Sequence, residues 1–226
     1  MYKVARRTGF TGSALLRLLA RLDDNELRDA APATADRWSQ WLGWTDAISL
    51  SAALNGNPAI NRSGVRGTSN AEEADCARVR SDLTAAIGDH VARTTDFASY
   101  RRRYLQRQQA MEASIGPLRA RLRASIAARS PELAQLAAVD VVMEQALSAR
   151  EHGLLAGVPA LLEKHFVRLR RQDQPAPDDD APPAAWLDVF DKDFQDVLQA
   201  ELDFRFQPVE GLLETLRMRQ ETPREP

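Results

Sequence analysis

Apolar residues recur along this chain at spacings of three and four, the period of one helix face, almost from end to end. Leu15, Leu18, Leu19 and Leu22 form the first such face and predict a short helix ending near Asp23-Asp24. A polar, proline-marked stretch follows to Asp36. That residue suits the N-cap of a second helix through Trp38, Trp41, Leu42, Ile48 and Leu54. Residues 55–70 read as a loop from their Gly, Asn, Pro and Ser content. A long charged region then runs from 71 to 129. Ile115, Leu118, Leu122 and Ile126 keep helical spacing across Gly116-Pro117, where a kink or break is expected.

Ser130-Pro131-Glu132 predicts a helix start, with a hydroxyl to cap and a proline where the missing N–H does no harm. Leu133, Leu136, Val139, Met143 and Leu147 then make an apolar stripe. Gly157-Val158-Pro159 interrupts the next segment, whose face continues through Leu162, Phe166 and Leu169. Prolines and the run Asp178-Asp179-Asp180 mark residues 172–185 as a linker, because proline density and like-charge repulsion both oppose packing. Trp186, Leu187, Phe190, Phe194, Val197 and Leu202 describe a further amphipathic helix, and Pro208 is expected to open a last one through Leu212, Leu213 and Leu216.

No alternation of strand type reaches useful length, so the expected fold is an all-α helical bundle of long amphipathic helices with coiled-coil-like pairing. The expected organisation is a main helical domain over 1–171, a linker over 172–185, a C-terminal helical hairpin over 186–219 and a disordered tail over 220–226.

Composition narrows the class. With 226 residues, 44% hydrophobic and 27% charged, the chain can bury a core without disulfides. Cys76 stands alone, which excludes an internal disulfide and a cysteine-based zinc site and fits the reducing cytosol. No run approaches the ~20 apolar residues of a membrane span. The apolar run after Arg6 and Arg7 is cut by Arg17 and Arg21, unlike a signal peptide. A cytoplasmic protein without direct membrane insertion is expected.

The net charge of −2 hides an asymmetry. Residues 76–130 carry eleven arginines against four acids, and residues 178–221 carry twelve acids against four bases. Such segments can pair within one molecule or between subunits, and the second option predicts a homo-oligomer.

Catalytic chemistry finds little to build on. His90, His152 and His165 follow Ile87, Ala149 and Leu162 at three residues' distance, so the Glu-x-x-His pairs of a di-iron bundle are missing. No zinc-hydrolase or phosphate-loop spacing occurs, and no catalytic, cofactor-binding or metal-binding residue is assigned. Cys76 reads as a buried, inert thiol. Asp140, between Val139 and Val141, reads as a partly buried acid held by an arginine, an ion pair that fixes helix register.

Two segments stand out for partner binding. In Tyr100-Arg101-Arg102-Arg103-Tyr104-Leu105-Gln106-Arg107, Arg101, Arg103 and Arg107 could neutralise phosphates while tyrosines stack on bases. Successive arginines diverge by about 100° on a helix. A solvated helix pairing with the acidic segment is therefore preferred over a nucleic-acid site. Trp38, Trp41 and Trp44 fall within seven residues; core packing is the first reading, and an interface anchor the sharper one.

The stretches Trp41-Leu42-Gly43-Trp44-Thr45-Asp46-Ala47-Ile48, Tyr104-Leu105-Gln106-Arg107-Gln108, Pro159-Ala160-Leu161-Leu162-Glu163-Lys164-His165-Phe166 and Gln207-Pro208-Val209-Glu210-Gly211-Leu212 are distinctive together. In these the chain resembles a proteobacterial family known only as a domain of unknown function (number 3348). That family carries no assigned catalytic or binding residues. The resemblance implies a genomic setting beside an outer-membrane-protein-A/MotB-like protein and a large helical membrane protein. The expected function is therefore a non-enzymatic helical adaptor that binds another protein through helix faces, with nucleic-acid binding as the alternative.

Overall fold

The computed structural model describes residues 14–22, 44–56, 69–89, 94–173 and 185–221. Seven helices make up these residues: α1 (Ala14–Leu22), α2 (Trp44–Asn55), α3 (Ser69–Gly88), α4 (Phe97–Ala127), α5 (Pro131–Ala156), α6 (Val158–Gln172) and α7 (Ala185–Glu221). The all-α bundle expected from the periodicity is the fold. Trp38, Trp41, the Asp36 cap, His90, most of the 55–70 loop, the 174–184 part of the linker and residues 222–226 lie outside the described residues.

Local chemistry explains the helix starts. Asp96 is extended and its carboxylate accepts from the Ala98 N–H at 3.1 Å, which opens α4. Ser130 does the same for α5, its hydroxyl accepting from the Leu133 N–H at 3.2 Å ahead of Pro131. Gly157 is the single residue between α5 and α6.

Two prolines behave differently from the sequence expectation. Pro117 lies inside α4, which runs unbroken through it. Pro208 does not open a new helix: the expected C-terminal hairpin is one 37-residue helix, α7. A proline inside a helix removes one hydrogen bond and costs about 3 kcal/mol. Phe206, Val209, Leu212 and Leu216 are buried on one face across Pro208, and burying such side chains contributes roughly 1.5–3 kcal/mol each. Packing outweighs the local defect, so the helix continues.

Nor is α7 an appendage. It packs on α1, α3, α4 and α6 and supplies the centre of the core. Trp186, Phe190 and Phe194 meet Tyr100 and Phe166 in an aromatic cluster. Ring centroids are 4.9 Å apart for Tyr100–Phe190, Phe166–Phe190 and Phe166–Trp186. These edge-on pairs join α4, α6 and α7 at one level of the bundle.

The opposite-sign segments do meet within the chain. Arg80 on α3 binds Asp203 at 2.5 Å and also Glu210, both on α7. Most of the basic segment's pairs are made elsewhere, however. Arg121 and Arg129 reach Asp75 and Glu72 of α3 at 2.6 and 2.9 Å, while Arg119 and Arg123 reach Asp140 and Glu144 of α5. Hydrogen bonds from Arg121 and Arg78 hold the Asp75 carboxyl below the usual carboxylate range.

Candidate interaction surface

The buried polar groups come first, because each could have been a reactive site. Glu201 on α7 is fully buried. It accepts from the Tyr104 hydroxyl, from Gln108 Nε2 at 3.1 Å and from Arg205 Nε at 2.8 Å. Burial, with the Glu201 charge and hydrogen bond behind it, pushes the Tyr104 phenol well above its ordinary range. The carboxylate's oxygens are occupied by α4 and α7 donors, which makes this network a joint between those helices.

His165 is buried. Its Nδ1 lies 2.9 Å from an Arg168 Nη2. Arginine can only donate, so Nδ1 accepts and the ring proton sits on Nε2, which donates to Asp193 at 2.7 Å. Arg21 of α1 reaches the other Asp193 oxygen at 3.3 Å. Three helices are thereby tied at one carboxylate. Among the described residues, no group of three or more His, Cys, Asp or Glu side chains is placed to hold a metal ion.

Asp140 carries the arginine partner its sequence position called for. Arg119 binds it in a fork, Nε at 2.9 Å and Nη2 at 2.6 Å, and Arg123 holds Glu144 at 2.6 Å. The cluster fixes α5 against α4. It also decides which side of α5 faces the bundle: Leu133, Ala134, Ala137 and Leu155 are the buried residues of this helix. Of the apolar stripe seen in sequence, only Leu133 is buried. Leu136 is exposed, and Val139, Met143 and Leu147 are only half-buried.

Beside that stripe lies α2, Trp-Thr-Asp-Ala-Ile-Ser-Leu-Ser-Ala-Ala-Leu-Asn, with a single charge in twelve residues. It packs along α5, and the Gln135 amide donates to the Leu54 carbonyl, setting the C-terminal end of α2 beside the first turns of α5. Of residues 45–55 none is buried. Asp46, Leu50 and Ala53, one turn apart, are the half-buried side, while Ile48 and Leu54 are each 54% exposed. Scattered apolar residues on a surface need no explanation, but a contiguous face does. Here Ile48 and Leu54 of α2 and Leu136 of α5 are exposed apolar residues on neighbouring helices.

The model of the family described as "Protein of unknown function (DUF3348)" matches residues 1–218. The chain belongs to that family. No curated protein and no solved structure matches it.

Of the sequence-chosen residues, Trp44 is the first residue of α2. Arg101 is exposed. Arg103 turns to the end of α3, donating to the Ile87 carbonyl at 3.1 Å and to the Asp89 carbonyl, with its guanidinium 5.7 Å from the Phe194 ring centre. Arg107 lies 3.7 Å from the Asp89 carboxylate. Both arginines thus serve the C-terminal end of α3, where exposed carbonyls and the helix dipole favour cations. The structure does not gather Arg101, Arg103 and Arg107 on one surface. The sequence named the tryptophan region as an interface anchor but did not reveal that α2 lies along α5; the low charge of 44–55 was the available signal.

Cys76 is buried on α3, and burial followed by the charges of Asp75 and Glu72 raises its thiol pKa. Native protein treated with a thiol-reactive dye near pH 8 should label at least ~100-fold more slowly than protein unfolded in denaturant, because thiolate formation and access are both suppressed. Labelling at the unfolded rate would mean that α3 and α7 are not packed around Cys76.

Proposed function

We propose that this family member is a non-enzymatic helical adaptor of the cytoplasm that binds protein through the α2–α5 face. The observation that supports this reading is the half-open apolar stripe of α5 beside an almost uncharged α2. A helix that is apolar without being buried gains its stabilisation from a surface supplied by another body. The genomic setting that the resemblance in the Tyr104–Gln108 and Pro159–Phe166 stretches implies supports a partner in a membrane-anchored, MotB/OmpA-like assembly. No helix among the described residues is long and apolar enough to cross a membrane, so attachment to such an assembly would run through protein contacts. Nucleic-acid binding is the weaker reading, since Arg103 and Arg107 are engaged at the end of α3.

The test is affinity capture of the tagged full chain from its native host, in parallel with Ile48→Asp and with Leu105→Asp as a surface control on α4. The adaptor reading expects a heterologous protein that is captured by the wild type and the control and lost with Ile48→Asp. Identical recovery with all three chains, or recovery of the chain alone, would remove it.

A further inference from the structure

We infer that the first two turns of α3, residues 70–75, form a charge-held flap that opens off the bundle while the rest of the helix stays seated. The inference is independent of the α2–α5 reading. Its starting point is a change of chemistry along one helix. From Cys76 onward α3 buries an apolar side chain at every turn: Cys76, Val79, Leu83 and Ile87. Ahead of Cys76 none of residues 70–75 is buried. Asn70, Ala71 and Ala74 are exposed, and the half-buried side chains, those turned toward the bundle, are Glu72, Glu73 and Asp75.

Each of these three carboxylates meets an arginine from another part of the bundle. Arg121 of α4 reaches Asp75 at 2.6 Å, and Arg217 of α7 reaches Glu73 at 2.9 Å. Arg129, two residues past the end of α4, reaches Glu72 at 2.9 Å, and the Ser125 hydroxyl donates to the same carboxylate. Arg78 also binds Asp75, but from within α3, so it ties the flap to nothing else. The Arg217 hydrogen bond holds the Glu73 carboxyl below its ordinary range, as Arg121 and Arg78 do for Asp75, so both stay ionised at neutral pH. Arginine pairs also keep the helices apart. Ala71, Glu72 and Asp75 line a groove of about 450 Å³ together with Leu118, Leu122 and Ala124 of α4. The start of α3 is therefore propped on the bundle by charge, where the rest of the helix is packed on it by apolar contact.

The two halves answer differently to salt. Apolar burial carries no charge to be screened. A partly exposed ion pair shifts an opening equilibrium by a factor of up to about five, and salt screens it away. Arg121 and Arg217 are 57% and 48% exposed, within reach of that screening. Three such pairs act on one two-turn segment, so charge governs its opening. The hinge falls at Cys76, where apolar burial begins. Opening bares the α4 side of the groove, including Leu118 and Leu122, which are buried while the flap is down. The bundle thereby holds an apolar surface that charge competition uncovers.

The experiment is amide hydrogen exchange, resolved by residue on the full chain, in ~10 mM and ~1 M sodium chloride, where the screening length falls from about 30 Å to about 3 Å. The reporting amides are those of residues 73–77, whose helical hydrogen bonds end on the carbonyls of residues 69–73. Those of residues 81–88 serve as the internal control. In the wild type the first group should exchange about tenfold faster or more at high salt, and the second should change less than about twofold. Combining Arg121→Gln, Arg129→Gln and Arg217→Gln should give the fast exchange already at low salt and abolish the salt response. That variant keeps every acid of α3, so an effect of those acids on the helix dipole alone would leave the salt response in place. Where the triple change unfolds the chain, Arg217→Gln by itself carries the test, with a rise of about two- to fivefold confined to residues 73–77. Salt-insensitive exchange at 73–77 in the wild type, an equal rise at 81–88, or a salt response unaltered by the arginine changes would overturn the inference.

Discussion

Replacing Glu201 by alanine is expected to lower the unfolding free energy by about 3–5 kcal/mol, the range seen when one member of a buried charge pair is removed. Glu201 is fully buried and receives three donors: the Tyr104 hydroxyl, the Gln108 amide and the Arg205 guanidinium. Without the carboxylate, the Tyr104 hydroxyl loses its acceptor and Gln108 keeps only the Leu155 carbonyl, at 3.1 Å. Arg205 keeps only its 3.3 Å contact with Glu112. At 2–4 °C per kcal/mol for a chain of this size, the melting temperature should fall by roughly 10 °C. Glu201→Gln keeps the shape and part of the hydrogen bonding, so about 1–2 kcal/mol is expected. Tyr104→Phe combined with Glu201→Ala should cost less than the two single changes added together, since they share one network. A Glu201→Ala loss below about 1 kcal/mol in denaturant titration would show that α4 and α7 are not joined there.

The second large effect is expected at the α4–α5 joint. Asp140→Ala leaves Arg119 and Arg123, both mostly buried, with Glu144 as their remaining acid, at 3.5 and 2.6 Å. A loss of about 2–4 kcal/mol follows, less than a full unpairing because Glu144 stays. The paired change Arg119→Met with Asp140→Leu gives the sharper measurement. It removes both charges together and replaces them with apolar volume, so stability should return to within about 1 kcal/mol of the wild type or exceed it. If the double variant is as unstable as Asp140→Ala, the joint depends on more than charge compensation. If Asp140→Ala is harmless, the arginines are not held where the structure places them.

These two joints also bear on function. Arg119 and Arg123 hold the Asp140 side of α5 against the bundle, and this turns Leu136, Val139, Met143 and Leu147 toward the edge. On that side Leu136 is exposed and the rest of the stripe is half-buried. The aromatic cluster and the Glu201 network, in turn, keep α7 central in the bundle.

Much of this was readable along the chain. Helical period, the Ser130-Pro131 start, the break at Gly157 and the buried face of Trp186, Phe190 and Phe194 depend on residues within a few positions of one another, and local spacing carries that information. An arginine partner for Asp140 was also foreseeable, because an acid set among valines is costly unless paired. The identity of that arginine was not, since Arg119 lies 21 residues away. Pro208 shows the opposite case: its local preference for ending a helix is real, and it loses to Phe206, Val209, Leu212 and Leu216, which are buried across it. The stripe on α5 is the most instructive element. Period reveals that a helix has an apolar side, but a bundle can seat the helix on a different side when charge pairs there are stronger. Amphipathicity is a property of one helix, and so the sequence by itself determined it. Which face is buried depends on the competition between faces for the same neighbours, and only the tertiary structure decided that.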